Sequence, residues 1–177
     1  MRALMRNVSV AGVVLGLAGC GGGGDAGRAA PDRPAQAAAS PVDPCGLLTP
    51  EEIAAVVGTK VERTEPNQYG GTAVCNFYGQ SITPLASLTV ASGMPDVSTS
   101  TEMAAWRSAQ TRTGSYADIK FLIEPIEGLG VPAIRNEIEG AGLVTVEIAV
   151  RGRLLDVTTG DLNHSKALAP RAIARMP

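Results

Sequence analysis

The sequence predicts an α+β domain: an antiparallel sheet of two hairpin or meander units, covered by about three helices and holding one disulfide. Two observations carry the fold class. Residues 49–58 read as a capped, one-sided helix ahead of apolar runs of strand length. Residues 132–160 alternate with period two between glycine turns, the mark of a half-buried antiparallel meander. Helices laid over one face of such a sheet are the natural packing.

The chain opens with Arg2 and Arg6 and no acid, then runs apolar or small through "VSVAGVVLGLAG". A charged start, a short apolar run and small residues before a cut make a secretory signal over residues 1–19. The run is too short for the roughly 20 apolar residues a membrane span needs. Leu17-Ala18-Gly19-Cys20 resembles the lipobox of bacterial lipoproteins. That resemblance implies lipidation of Cys20: a diacylglyceryl group on the thiol, cleavage before the cysteine and acylation of the new amine. Two or more acyl chains hold a protein stably where one gives only marginal binding. Gly21 follows the cysteine, where an Asp would imply retention at an inner membrane. The expected place is therefore the outer membrane facing the periplasm, or the outer face of the membrane in a cell that has one. Residues 21–43 are rich in Gly, Ala and Pro, with Val42 the one large apolar side chain. Such a segment cannot bury enough surface to offset its ordering entropy, and with Cys20 it reads as a lipidated, disordered tether. Residues 44–177 then form a single domain.

Loss of the signal removes two of the 15 basic residues against 17 acidic ones, leaving a net charge of −4. With six aromatic residues in the chain, neither a basic nor a stacking surface for nucleic acid is expected. Once Cys20 is lipidated, Cys45 and Cys75 remain, and an exported pair reads as a disulfide. A metal site needs more ligands than two thiols, the only histidine is His164, and the spacing is not that of a C-x-x-C redox pair. No metal and no cofactor are expected.

In "LLTPEEIAAVVG", Thr49 is the N-cap, Pro50 the first helical residue and Glu52 the other half of a capping box. Leu48 and Ile53 form a staple around it, and Gly58 stops the helix. Glu51 and Glu52 serve the helix N-terminus rather than catalysis. "VCNFYG" (74–79) and "ASLTVAS" (86–92) are strands joined by a turn around Pro84. A helix follows over 100–112, capped by Ser100 or Thr101, with Met103 and Trp106 or Arg107 at helical spacing. "KFLIEPI" adds a short strand or an extended connection. In the closing meander, a three-residue loop at Gly140-Ala141-Gly142 sets Ile134 against Ile148 and Ile138 against Val144. A turn at Arg151-Gly152 sets Ile148 against Leu155 and Val146 against Val157. The opposite face then carries Arg135, Glu147 and Asp156 side by side, with Arg135 bridging two carboxylates; an exposed charged sheet face is the ordinary outcome. The last helix, in "SKALAPRAIARMP", begins at Pro170 or bends there.

The residues "DPCGLLTPEEIAAVVG", "CNFY", "GLG" before a strand and the closing "ALAPRAIARMP" resemble small bacterial lipoproteins classed only as a domain of unknown function. These share a Pro-Cys-x-Leu-Leu-Thr opening and a second cysteine followed by an aromatic. The resemblance covers residues 43–177; it implies a Cys45–Cys75 bridge and the Thr49 cap, and it brings no catalytic residues.

The catalytic motifs of common classes do not occur. There is no G-x-S-x-G, no H-E-x-x-H, and "GTAVCNFYG" lacks the Gly-Lys pair of a P-loop. His164 has Asp161 and Ser165 beside it, but neighbours along a chain seldom form a triad. The expectation is a non-enzymatic binding or envelope-maintenance module with an unknown envelope protein or lipid as partner. A carrier of an apolar ligand is the alternative, an enzyme a distant second. A carrier needs a cavity of several hundred Å³ between sheet and helices, whereas a solid core with an exposed apolar patch points to a protein partner.

Overall fold

The structure is a computed structural model in which residues 41–94, 96–113, 116 and 118–177 are described. The signal and Cys20 lie outside the described residues, as does the tether up to residue 40. Seven strands form one antiparallel sheet: β1 (Arg63–Tyr69), β2 (Thr72–Tyr78), β3 (Pro84–Ser92), β4 (Phe121–Ile126), β5 (Ala133–Ile138), β6 (Val144–Val150) and β7 (Arg153–Thr159). Their spatial order is β1-β2-β3-β7-β6-β5-β4, so two meanders meet where β3 pairs with β7. Three helices, α1 (Pro50–Val57), α2 (Ser100–Thr111) and α3 (Leu162–Arg175), pack on it, together with a short 3-10 turn at Pro44–Gly46.

One sheet face carries the main core. Cys75, Phe77, Leu88, Val146, Ile148, Leu155 and Val157 are all fully buried there. Ile53 of α1 and Leu168, Ala169 and Ala172 of α3 close over them. The two alanines have no exposure, so α3 lies close on the sheet rather than over a chamber. The disulfide joins Cys45 to Cys75, with Cα atoms 5.1 Å apart, and ties the 3-10 turn to β2. Val42 is buried in the same core, and Asp43 caps the 3-10 turn by accepting from the Cys45 amide at 2.9 Å. Order therefore reaches two residues back into the stretch expected to be tether.

Helix ends follow side-chain chemistry. Thr49 Oγ1 accepts from the Glu52 amide, and Glu52 Oε2 accepts from the Thr49 amide at 2.9 Å. Gly58 ends α1 at φ +75°, a conformation that costs glycine nothing. Helix α2 is capped by Thr99, not by Ser100 or Thr101, because Glu102 sits three residues on and completes a second capping box. Ser100 is buried instead, donating to the Ile126 carbonyl and accepting from the Ala133 amide. Helix α3 runs through Pro170 from an Asp161 cap, starting eight residues before the proline.

Three further expectations are corrected. β1 was not expected: it is polar, contains Pro66 and pairs with β2 across a turn at Gly70 and Gly71. The β6–β7 register is as read, Ile148 facing Leu155 and Val146 facing Val157. The β5–β6 register is shifted by one: Ala133, not Ile134, faces Ile148, and Glu137, not Ile138, faces Val144. Both Gly140 (φ +81°) and Gly142 (φ +68°) take left-handed conformations, and the connection between the paired Glu137 and Val144 holds an even number of residues, 138–143, where a three-residue turn requires an odd one. A one-residue slip moves every β5 side chain to the other face, and this relocates Arg135 and Ile134.

The third correction concerns layers. Helix α2 packs on β4 and β5 from the face opposite α1 and α3, so the helices cover both faces. Met103 and Ile134 are both fully buried but lie outside the main core cluster, in a smaller core beneath α2. Both outermost strands carry a proline, Pro66 in β1 and Pro125 in β4, which removes ladder donors from the sheet edges and discourages edge-to-edge pairing.

Candidate functional site

Under α2 the sheet carries a polar cluster. Glu147 of β6 stands directly opposite Asp156 of β7. Arg135 does not reach them; the register shift sends it to the other face, where it binds Glu124 and Glu137. The cation beside Glu147 is Arg107 of α2, whose Nε donates to Glu147 Oε2 at 2.6 Å. The other oxygen, Oε1, accepts from Asn136 Nδ2 of β5 at 2.6 Å. The Glu147 side chain is only 4% exposed, so the expected solvated face is instead a covered ion pair. Trp106 flanks it, with the Arg107 guanidinium 4.9 Å from the ring centroid. Two residues along the same β6–β7 ladder, the hydroxyls of Thr145 and Thr158 bond each other at 2.8 Å.

Two oxygens in the cluster, Asn136 Oδ1 and Asp156 Oδ1, are shut off from solvent and have no hydrogen-bond partner, although Asp156 as a whole keeps some exposure. Asp156 is the acid of the two. Burial, then the charge of Glu147, push its carboxyl well above the ordinary carboxylate range, while Arg107 opposes the shift. Such a group is neutral where an ordinary Asp is charged. The sequence held one signal for this cluster, Glu147 opposite Asp156; it could not say that Arg107, four residues after Met103, would be the cation delivered to them.

The His164 group has no catalytic geometry. Asp161 Oδ1 accepts from the amides of Asn163 and His164 as the α3 cap. Ser165 Oγ is buried, donating to the Val144 carbonyl and sharing a hydrogen bond with Thr159 Oγ1. Among the described residues, no three His, Cys, Asp or Glu side chains converge as a metal site.

The second feature is an exposed apolar corner at the start of β4. Phe121 faces Ile138 across the β4–β5 ladder, and Tyr116 meets the Phe121 ring edge-on at 6.2 Å. Tyr116, Ile119, Leu122, Ile138 and Leu143 are each more than a third exposed. Beside them, a depression of about 290 Å³ lies between Ser108, Thr111 and Arg112 at the end of α2 and Phe121 and Ile123 of β4. A larger depression of about 570 Å³ lies at the other end of α2, lined by Ser98–Thr101 with Glu127, Gly128 and residues 130–132, polar and apolar in equal measure. No described helix is long and apolar enough to cross a membrane.

The profile of a family of proteins of unknown function, DUF3558, matches residues 15–159. No curated protein matches the chain.

Proposed function

We propose that this chain, which belongs to the DUF3558 family, is a lipid-anchored envelope protein whose domain docks a protein partner without catalysing a reaction. The exposed apolar corner at the start of β4 carries the docking reading. Five of the seven large apolar side chains exposed among the described residues fall in this part of the chain, Leu122 on the face of β4 opposite Phe121. Apolar surface gathered in one place marks an interaction site, whereas single exposed hydrophobics are ordinary. The closely laid α3, with Ala169 and Ala172 fully buried, supports docking over carriage of a lipid.

The anchor reading rests on cysteine use. The bridge accounts for Cys45 and Cys75, leaving Cys20 behind its apolar run, and disulfides belong to oxidising compartments. Val42 enters the fold beside β1–β3, while the apolar corner lies at the β4 edge.

A photo-crosslinking side chain at Ile138 or Leu143 in the full chain, expressed in its own envelope, tests this. One discrete protein adduct is expected from both positions and none from Ile82, which is exposed on the β2–β3 loop. Equal labelling at Ile82, or no protein adduct at either corner position, refutes the docking reading. Non-covalent lipid retained at one molecule per chain in native mass spectrometry supports the carrier instead.

A further inference from the structure

We propose that Glu147 and Asp156 share one proton beneath α2, and that this proton is a latch: its loss loosens the C-terminal half of α2 from the sheet. Three geometric observations carry the inference. The two carboxyl groups are direct cross-strand partners, close enough that two negative charges repel strongly. Among the described residues a single cation, Arg107, reaches them, and both oxygens of Glu147 are already taken by Arg107 and Asn136. Asp156 Oδ1 is left with no partner and no solvent. An atom without accessible surface cannot be reached by a metal ion or an organic ligand, but it can carry or face a proton. A carboxylic acid there donates to the neighbouring carboxylate and removes the orphaned charge.

Every element around the pair points the same way. From β7, Asp156 is flanked on its own face by Leu154 and Thr158. From β3, its partner is Thr89, which is uncharged. From β5, Ile134 faces Glu147 and Asn136 donates to it. From α2, Arg107 supplies the one positive charge. Losing the shared proton to solvent leaves two negative charges and one positive charge in a covered site. That state requires hydration of the covered oxygens, which lifting of the helix admits.

The helix is built to lift at one end. Its N-terminal half is pinned by fully buried Met103 and by Ser100, which bridges Ile126 and Ala133. Past that point α2 holds the sheet through Arg107, and beyond Arg107 lies the 290 Å³ depression between Ser108, Thr111, Arg112 and β4. The under-filled end adjoins the proposed docking corner, so protonation of the pair bears on that surface; the latch itself does not depend on the docking reading.

Trp106 is the only tryptophan and touches Arg107, so it reports on the latch directly. With the full chain, tryptophan emission is followed from pH 5 to 9.5, together with hydrogen exchange of α2. One emission transition is expected, with its midpoint above about pH 6, outside the ordinary carboxyl range. Protection of residues 107–111 should fall about tenfold or more across it, while that of 100–104 holds. Asp156→Asn, a neutral mimic of the protonated acid, should abolish the transition and keep α2 protected throughout. Glu147→Gln, which removes the like charge, should move the midpoint toward the ordinary range. A wild-type chain with no such transition overturns the proposal. So does a transition that persists unchanged in Asp156→Asn, or a midpoint unmoved by Glu147→Gln.

Discussion

Reducing the Cys45–Cys75 bridge should destabilise the domain by about 3–4 kcal/mol. The bridge spans a sequence separation of 30 residues and encloses α1, β1 and half of β2. On the chain-entropy relation, a loop of about 31 residues loses ~12 cal/mol/K in the unfolded state, or about 3.7 kcal/mol at 25 °C. The native side of the balance changes little, because Cys75 is fully buried among Phe77 and Leu88 and a thiol packs there as well as a half-disulfide. Urea unfolding with and without a phosphine reductant, followed by far-UV circular dichroism, measures the difference. The midpoint should fall and the slope rise slightly, since the freed loop exposes more surface on unfolding. Cys45→Ser should reproduce the reduced behaviour under oxidising conditions. A difference below about 1 kcal/mol would refute the reasoning: the 45–75 loop would then be confined in the unfolded chain by something other than the bridge.

Three other outcomes follow from the same packing. Glu52 binds Arg175 through both oxygens, at 2.6 and 2.8 Å, and its carboxyl is held down to about 2, first by the Arg175 hydrogen bond and then by that from the Thr49 amide. A lowered folded value contributes stability above the ordinary carboxyl value of 4.5, lost as pH falls through the folded one. Glu52→Gln should flatten the acid limb of a stability–pH curve between about 4.5 and 2 and cost about 1 kcal/mol at neutral pH, given the partly exposed arginine; an unchanged acid limb counts against the pairing. Thr49→Ala should lower stability by about 1 kcal/mol in the same assay, with Thr49→Ser close to wild type. Ala169→Leu should cost about 1–3 kcal/mol by overpacking the α3–sheet contact, whereas a neutral or stabilising effect would reveal space under α3 and favour the carrier.

Much of the domain was legible because local chemistry and burial agree in it. Thr49, Pro50, Glu52 and Gly58 bracket α1 by their own hydrogen-bonding and backbone preferences, and β6–β7 alternates cleanly around a two-residue turn. β1 was invisible for a physical reason. "RTEPNQY" is an edge strand with little buried surface, so it carries neither alternation nor β-branched bulk, and its proline argues against a strand unless the strand lies at an edge. The β5–β6 register failed because two glycines, on either side of Ala141, allow loops that differ by one residue, and period-two patterning cannot decide when Ile134 has a second core to enter. That second core exists only because α2 crosses to the other face, a choice made by tertiary packing. The acid pair was therefore visible, while its cation was misassigned from Arg107 to Arg135.

The central claim is an anchored envelope protein, and the mass of the mature chain tests it most directly. The chain is extracted with detergent from the membranes of its own host, and its intact mass and N-terminal peptide are read by mass spectrometry. The account predicts a chain that begins at Cys20, carries a diacylglyceryl group and at least one further acyl chain, and is two hydrogens light for the Cys45–Cys75 bridge. A chain that begins at Cys20 without acyl mass, or that retains the residues before it, would contradict the account.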